Sequence, residues 1–173
     1  MIRFTSLALV FVLCVVSTYA TRVVDIKIIC TVGYTDTKYC LNLLKSQQGA
    51  DLLVMGRYVT DVLHTKVTNT VKHLKTLIDN YEKETTPKSH YIKCLEYYGG
   101  KNGAITKFEE IENSLKAGNY NGTEVAVYDV MKASISCNDD DKTGTEKCEW
   151  DNYYVFKIGD IMMTITSYLN RQV

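Results

Sequence analysis

Six cysteines, three histidines and a run of three aspartates are the residues of this 173-residue chain whose types could do chemistry. Zinc is held by thiolates and imidazoles that recur at C-x-x-C or H-x-x-x-H spacing, which places two ligands on one turn of backbone. Neither spacing occurs. His64, His73 and His90 share no ligand or acid–base spacing and read as solvated helix residues. Asp139-Asp140-Asp141 offers oxygen ligands for calcium, but the ligand positions and closing glutamate of an EF-hand loop are missing. Cys148 stands beside Lys147, whose charge favours a thiolate. There is no G-x-S-x-G elbow, and the GGKNG of Gly99–Gly103 lacks the order of a phosphate loop. A hydrolase needs a nucleophile with a base, or two convergent carboxylates, and no residues are spaced for either. Catalytic residues, metal and cofactor are therefore all expected to be none.

The N-terminus sets the compartment in which the cysteines must be judged. Arg3 precedes an apolar run, Leu7–Val16, that is too short to span a bilayer, and Thr18 and Ala20 form a small-residue cleavage site. Residues 1–20 are expected to be a signal peptide and residues 21–173 one secreted domain. Cys14 leaves with the signal. Removing Arg3 from 20 basic residues leaves 19 against 20 acidic ones, a net charge of −1, which gives no reason to invoke nucleic acid or a membrane surface. In an oxidising compartment Cys30, Cys40, Cys94, Cys137 and Cys148 should pair with one left over, and spacing alone leaves the pairing open. Cys148 is expected to be the leftover thiol. Asn121-Gly122-Thr123 is an N-glycosylation triplet, which suits a secreted chain.

The elements that must position these residues read as helical. The segment from Val23 to Asp51 breaks into short helical pieces. Asp51 to Lys83 carries one long stripe of apolar residues at helical spacing, including Leu52, Met55, Val59, Leu63, Val67 and Leu74. Thr86 as N-cap and Pro87 at the first helical position start a second helix, which runs to Ala117, where Gly118 and Asn119 stop it. Asn121 and Glu124 predict a capping box for a third helix to Cys137, with Val125, Tyr128, Met131 and Ile135 as its buried face. The acidic stretch Asn138–Asp151 reads as a loop, solvated or facing a basic partner. Asp151 or Asn152 caps a fourth helix with the stripe Val155, Ile158, Ile161, Met162, Ile165, Tyr168 and Leu169. Four such helices with short connections predict an all-α, up-down-up-down bundle.

GGKNG interrupts the second of these helices. Cys94 lies 22 residues before the turn at Lys116–Asn121 and Cys137 lies 16 residues after it. At 1.5 Å per residue the two arms are ~33 and ~24 Å long, so the pair cannot come within the ~7 Å a disulfide allows. If Gly99–Asn102 is looped out, the first arm shortens to ~27 Å and the two cysteines can meet. The alternatives are that Cys94 pairs elsewhere, or that Cys148, eleven residues along, takes Cys137.

A secretory leader, Ile28-Ile29-Cys30, a second cysteine ten residues on, then Cys94-Leu-Glu-Tyr-Tyr98, Ser114-Leu-Lys-Ala-Gly-Asn-Tyr120 and Met131-Lys-Ala-Ser-Ile-Ser-Cys137 together resemble the plant invertase and pectin methylesterase inhibitor family. The resemblance covers essentially the whole mature chain. It implies a four-helix bundle preceded by a helical hairpin, with disulfides Cys30–Cys40 and Cys94–Cys137. It also implies a non-catalytic inhibitor, monomeric on its own, that docks one-to-one over the substrate cleft of a cell-wall enzyme in the apoplast. Invertase inhibitors carry Pro-Lys-Phe near the second-to-third helix turn, whereas this turn reads Gly118-Asn119-Tyr120. A glycan on Asn121 would further crowd a turn that has to enter a pocket. Pectin methylesterase is therefore the expected target and acid invertase the alternative. Asn119, Tyr120 and Tyr97 are the expected partner contacts, because aromatics anchor interfaces. A carrier of a small apolar ligand is the competing reading from another class, since bundles can enclose a pocket.

Overall fold

The computed structural model describes residues 23–32, 36–81, 87–139 and 146–171. The leader to Ala20, the Thr86 cap and the Asp140-Asp141 part of the calcium reading lie outside these residues.

Three aspartates open the first three helices. Asp25 caps α1 (Ile26–Thr31), Asp36 caps α2 (Thr37–Leu44) and Asp51 caps α3 (Leu52–Asp79), each side chain accepting a hydrogen bond from a backbone N–H of the first turn. α1 and α2 form a hairpin closed by the Cys30–Cys40 disulfide, whose Cα atoms are 5.5 Å apart. The bundle follows: α3, then α4 (Lys88–Gly99) and α5 (Phe108–Ala117) in line as one arm, α6 (Tyr120–Asp139) and α7 (Glu146–Asn170). Cross-contacts fix the directions. Thr60 meets Met162 and Lys66 meets Asp151, so α3 and α7 run antiparallel. Cys94–Cys137 and Lys107–Asp129 set the α4–α5 arm antiparallel to α6. Asn152 with Asn138, and Ser167 with Glu124, do the same for α6 and α7. The expected up-down-up-down bundle with a preceding hairpin is present.

The α3 and α7 stripes fill the core as their spacing demands. Leu52, Met55, Val59, Leu63, Val67 and Leu74 face Val155, Ile158, Ile161, Met162, Ile165 and Leu169, all buried. A polar chain leads from the core to the surface: the buried Tyr98 hydroxyl donates to Oδ1 of buried Asn152 at 2.6 Å, and Asn152 Nδ2 donates to Oδ1 of exposed Asn138 at 2.6 Å. Among the described residues no helix is long and apolar enough to cross a membrane.

The second arm breaks where the glycines stand. The Lys107–Asp129 and Cys94–Cys137 ties leave thirteen residues on the arm against eight on α6. The surplus is taken up by a turn at Gly100–Gly103, followed by a 3-10 turn at Ala104–Lys107. The break is one residue later than the predicted Gly99–Asn102, because Gly99 completes α4. Its glycines answer to crowding and keep negative φ angles: a Cβ on Gly103 would lie 2.8 Å from Gly100 N and 2.9 Å from the Tyr98 carbonyl. Cys94 and Cys137 then sit with Cα atoms 4.9 Å apart and form the disulfide.

Three helix starts differ from the sequence reading. Pro87 is itself the N-cap of α4, its extended backbone handing over to Lys88. Asn119 caps α6, with Oδ1 accepting from Gly122 N–H, so Asn121 does not. It can do so because Gly118, at φ 69°, turns α5 off through a left-handed cap. α7 begins at Glu146, which places Asp151 and Asn152 inside the helix, where they bind Lys66 and Tyr98 rather than cap.

Candidate partner-binding face

α6 is the helix whose faces the sequence reading reversed. Of Val125, Tyr128, Met131 and Ile135, only Met131 is buried; Val125 is 62%, Tyr128 54% and Ile135 36% exposed. The inner face is made of small or polar residues, Thr123, Ala126, Ala133 and Ser134, with Val127, Val130 and Cys137. Cys137 carried the missed signal. A disulfide to the next helix must point inward, and stepping back three, four and seven residues from it reaches Ser134, Ala133 and Val130. Weighing side chains by size pointed to the opposite face.

The outer face is therefore an apolar stripe of Val125, Tyr128 and Ile135 along a bundle helix. Beside it lies an open cleft of about 810 Å³, with Asp129, Lys132 and Ser136 of α6 on one side and Tyr97, Lys101 and Lys107 on the other. The GGKNG turn supplies one wall of this cleft. Lys107 spans it with a 2.7 Å ion pair to Asp129, and that hydrogen bond raises the lysine pKa above its ordinary value. A second exposed aromatic group sits on α7, where Trp150, 63% exposed, contacts Tyr153 and Tyr154. Tyr154 in turn packs on Tyr39 of the hairpin, whose hydroxyl is pushed up to about 12, first by burial and then by the neighbouring tyrosines.

No family model matches the chain, and no curated protein matches it. Solved structures do. A mutant form of a pectin methylesterase inhibitor from Arabidopsis superposes with a TM-score of 0.71 at 22% identity, over 80% of this chain and 93% of that one. A pectin methylesterase inhibitor from Arabidopsis thaliana superposes at 0.61 and 21% identity, over 82% and 93%. The fold is that of the pectin methylesterase inhibitors.

On this inhibitor fold the residues singled out from the sequence take different places. Tyr120 is 8% exposed and belongs to the core, so it is not the surface aromatic its position in the turn promised. Asn119 is exposed, and its side chain is engaged in capping α6. Tyr97 is half-buried and lines the cleft. Asn121 is exposed in the first turn of α6, where its Oδ1 accepts from Asn170 Nδ2 at 3.1 Å. Cys148 is buried and lies outside both disulfides. His64 packs on Phe108 and His73 pairs with Asp151, both at the surface, but His90 is buried and not solvated as expected. It stands beside the Cys94–Cys137 disulfide, with Nε2 3.4 Å from Cys94 Sγ.

Proposed function

We propose that this chain is a secreted inhibitor of pectin methylesterase, docking reversibly and one-to-one over the enzyme's substrate cleft through the outer face of α6. The observation that carries the reading is the outward stripe of Val125, Tyr128 and Ile135 on a fold shared with pectin methylesterase inhibitors. A stable interface needs a desolvated apolar centre with an aromatic anchor and a polar rim. Tyr128 is the anchor, Val125 and Ile135 flank it, and Asp129, Lys132 and Tyr97 at the cleft form the rim. Asn119 lies at the turn end of this face. A glycan on Asn121 would stand ~6 Å along the helix from Val125, so the partner seats towards Ile135. Two disulfides suit an oxidising, extracellular setting.

The test is inhibition. The mature protein from Thr21 onward is titrated against a plant pectin methylesterase and an acid invertase at mildly acidic pH. Stoichiometric loss of methylesterase activity with invertase untouched is the expected result. Loss of invertase activity alone would transfer the reading to that enzyme, and no effect on either would overturn it.

A further inference from the structure

We propose that Trp150 and Tyr153 on α7 form a second docking surface, whose occupant is a basic protein segment that lays an arginine or lysine on the indole. Tyr153 and Tyr154 stand three and four residues beyond Trp150, so the three rings share one side of the helix. Trp150 meets Tyr153 in a T-shaped contact at 6.0 Å between ring centroids, and lies at 31° to Tyr154 at 6.3 Å. Tyr153 and Tyr154 pack at 5.4 Å, and Tyr154 rests on Tyr39 of the hairpin, also at 5.4 Å. This ladder of rings is anchored at its hairpin end and open at the exposed Trp150. Ring packing sets the indole in place before a partner arrives, which lowers the ordering cost of binding. The ladder draws on α2, α3 and α7, whereas the α6 stripe and its cleft draw on α4, α5 and α6, so the two surfaces share no helix.

Two cations already use the ladder. Lys66 Nζ lies 5.2 Å from the centroid of the Tyr154 ring, and Lys157 Nζ 5.3 Å from that of Tyr153. Tryptophan attracts cations more strongly than tyrosine, yet Trp150 carries none among the described residues. Charge selects the same occupant. Trp150 belongs to Asn138–Asp151, which holds six acidic and two basic residues, and counting Lys66 and Lys157 with them still leaves a net charge of −2. Asp151 is taken by Lys66 and His73, but Glu149, next to Trp150, is exposed and offers a carboxylate to a guanidinium. Such a field attracts a basic segment and opposes an acidic polymer. It also opposes a second copy of this chain, which would bring the same charge with it. Arginine suits the seat best, because its plane stacks on an aromatic face while its edge donates to a carboxylate.

Trp150 is the chain's one tryptophan, so its fluorescence reports this surface alone. The full mature chain is titrated at low ionic strength with a capped peptide of alternating arginine and glycine, and with the same peptide carrying glutamine or glutamate in place of arginine. Titrations with an oligogalacturonate and a cello-oligosaccharide run alongside. The expected result is a saturable change in Trp150 emission with the arginine peptide alone, weakening several-fold at physiological salt. Calorimetry should show about tenfold weaker binding in Trp150→Ala, an intermediate loss in Trp150→Phe and a several-fold loss in Glu149→Gln, in proteins whose circular dichroism stays helical. No binding, equal binding by Trp150→Ala, or an equal response to the glutamine peptide would each overturn the assignment. Saturable binding of either oligosaccharide in place of the arginine peptide would give the rings to a sugar, and a dimer abolished by Trp150→Ala would give them to a second copy; each would overturn it too.

Discussion

Replacing Tyr128 by alanine separates the two readings of α6. Tyr128 is 54% exposed, so the ring stands in solvent until a partner covers it. An aromatic side chain offers roughly 150–250 Å², and about half of that, ~110 Å², remains to be buried. At ~25 cal/mol per Å² this is ~2.7 kcal/mol. Alanine keeps the Cβ, so the expected loss is ~2 kcal/mol, a ~30-fold weaker Kd. Stability should hardly change, because a surface substitution moves it by about 0.5 kcal/mol or less, under ~2 °C in Tm for a domain of this size. Tyr120→Ala should behave in the opposite way, since that ring is 8% exposed and truncating a buried aromatic costs ~3–5 kcal/mol. Calorimetric titration against the methylesterase and a melting scan of each variant give both numbers. A Tyr128→Ala protein that melts many degrees lower would place the ring in the core and refute the orientation of α6. Unchanged affinity would refute the face as the docking surface.

Three further expectations rest on other parts of the bundle. Cys94→Ser opens a cross-link between residues 43 apart, worth about 4 kcal/mol in the chain-entropy account, so its Tm should fall by roughly 8–16 °C, whereas Cys148→Ser breaks no cross-link and should lose far less; equal melting points would contradict this. Gly103→Ala pushes a Cβ into backbone at 2.8–2.9 Å and should cost ~1–3 kcal/mol, while Gly99→Ala, in the last turn of α4, meets side-chain methyls, two of Val71 at 3.4 Å and one of Leu95 at 3.7 Å, and should be neutral or stabilising, which a pair of denaturant titrations will show. Asp151 is partly buried, which works to raise its pKa, but hydrogen bonds from Lys66 and His73 outweigh this and hold it below the usual carboxylate range. A lowered folded pKa gives stability that is full above the unfolded pKa and is lost as pH falls through the folded one. Wild type should therefore lose stability below about pH 4 more steeply than Asp151→Asn, and parallel curves of Tm against pH would exclude the linkage.

The sequence showed most plainly those elements whose burial falls on large aliphatics. α3 and α7 repeat Leu, Val, Ile and Met at helical spacing, and those residues are inside. The break in the second arm was legible because glycines are costly within a helix and because arm lengths had to let Cys94 reach Cys137. α6 was misread for a physical reason. Its inner face is kept small, with Ala126, Ala133 and Ser134, so hydrophobic weight accumulates on the outside. Tyr120 was misread similarly, since a turn position gives no sign that the ring folds back into the bundle. The start of α7 was hidden by the charge of Asn138–Asp151, which reads as loop although the helix begins at Glu146. His90 reads as solvated from its type alone, whereas the packing of α4 against α6 buries it beside the Cys94–Cys137 disulfide.

The interruption at Gly100–Gly103 also divides one arm of the bundle into two pieces that can open separately. α4 is tied to α6 by a covalent bond at Cys94, whereas α5 is held by the packing of Phe108, Ile111 and Leu115 and by the Lys107–Asp129 pair. The ladder of amide hydrogen bonds is broken between them, so fraying of α5 does not propagate into α4. Amide exchange along this arm should therefore change abruptly at the glycines, with α5 exchanging through local openings while α4 waits for global unfolding. The cleft wall belongs to the boundary between the two, so a partner seated there would slow exchange in α5 first.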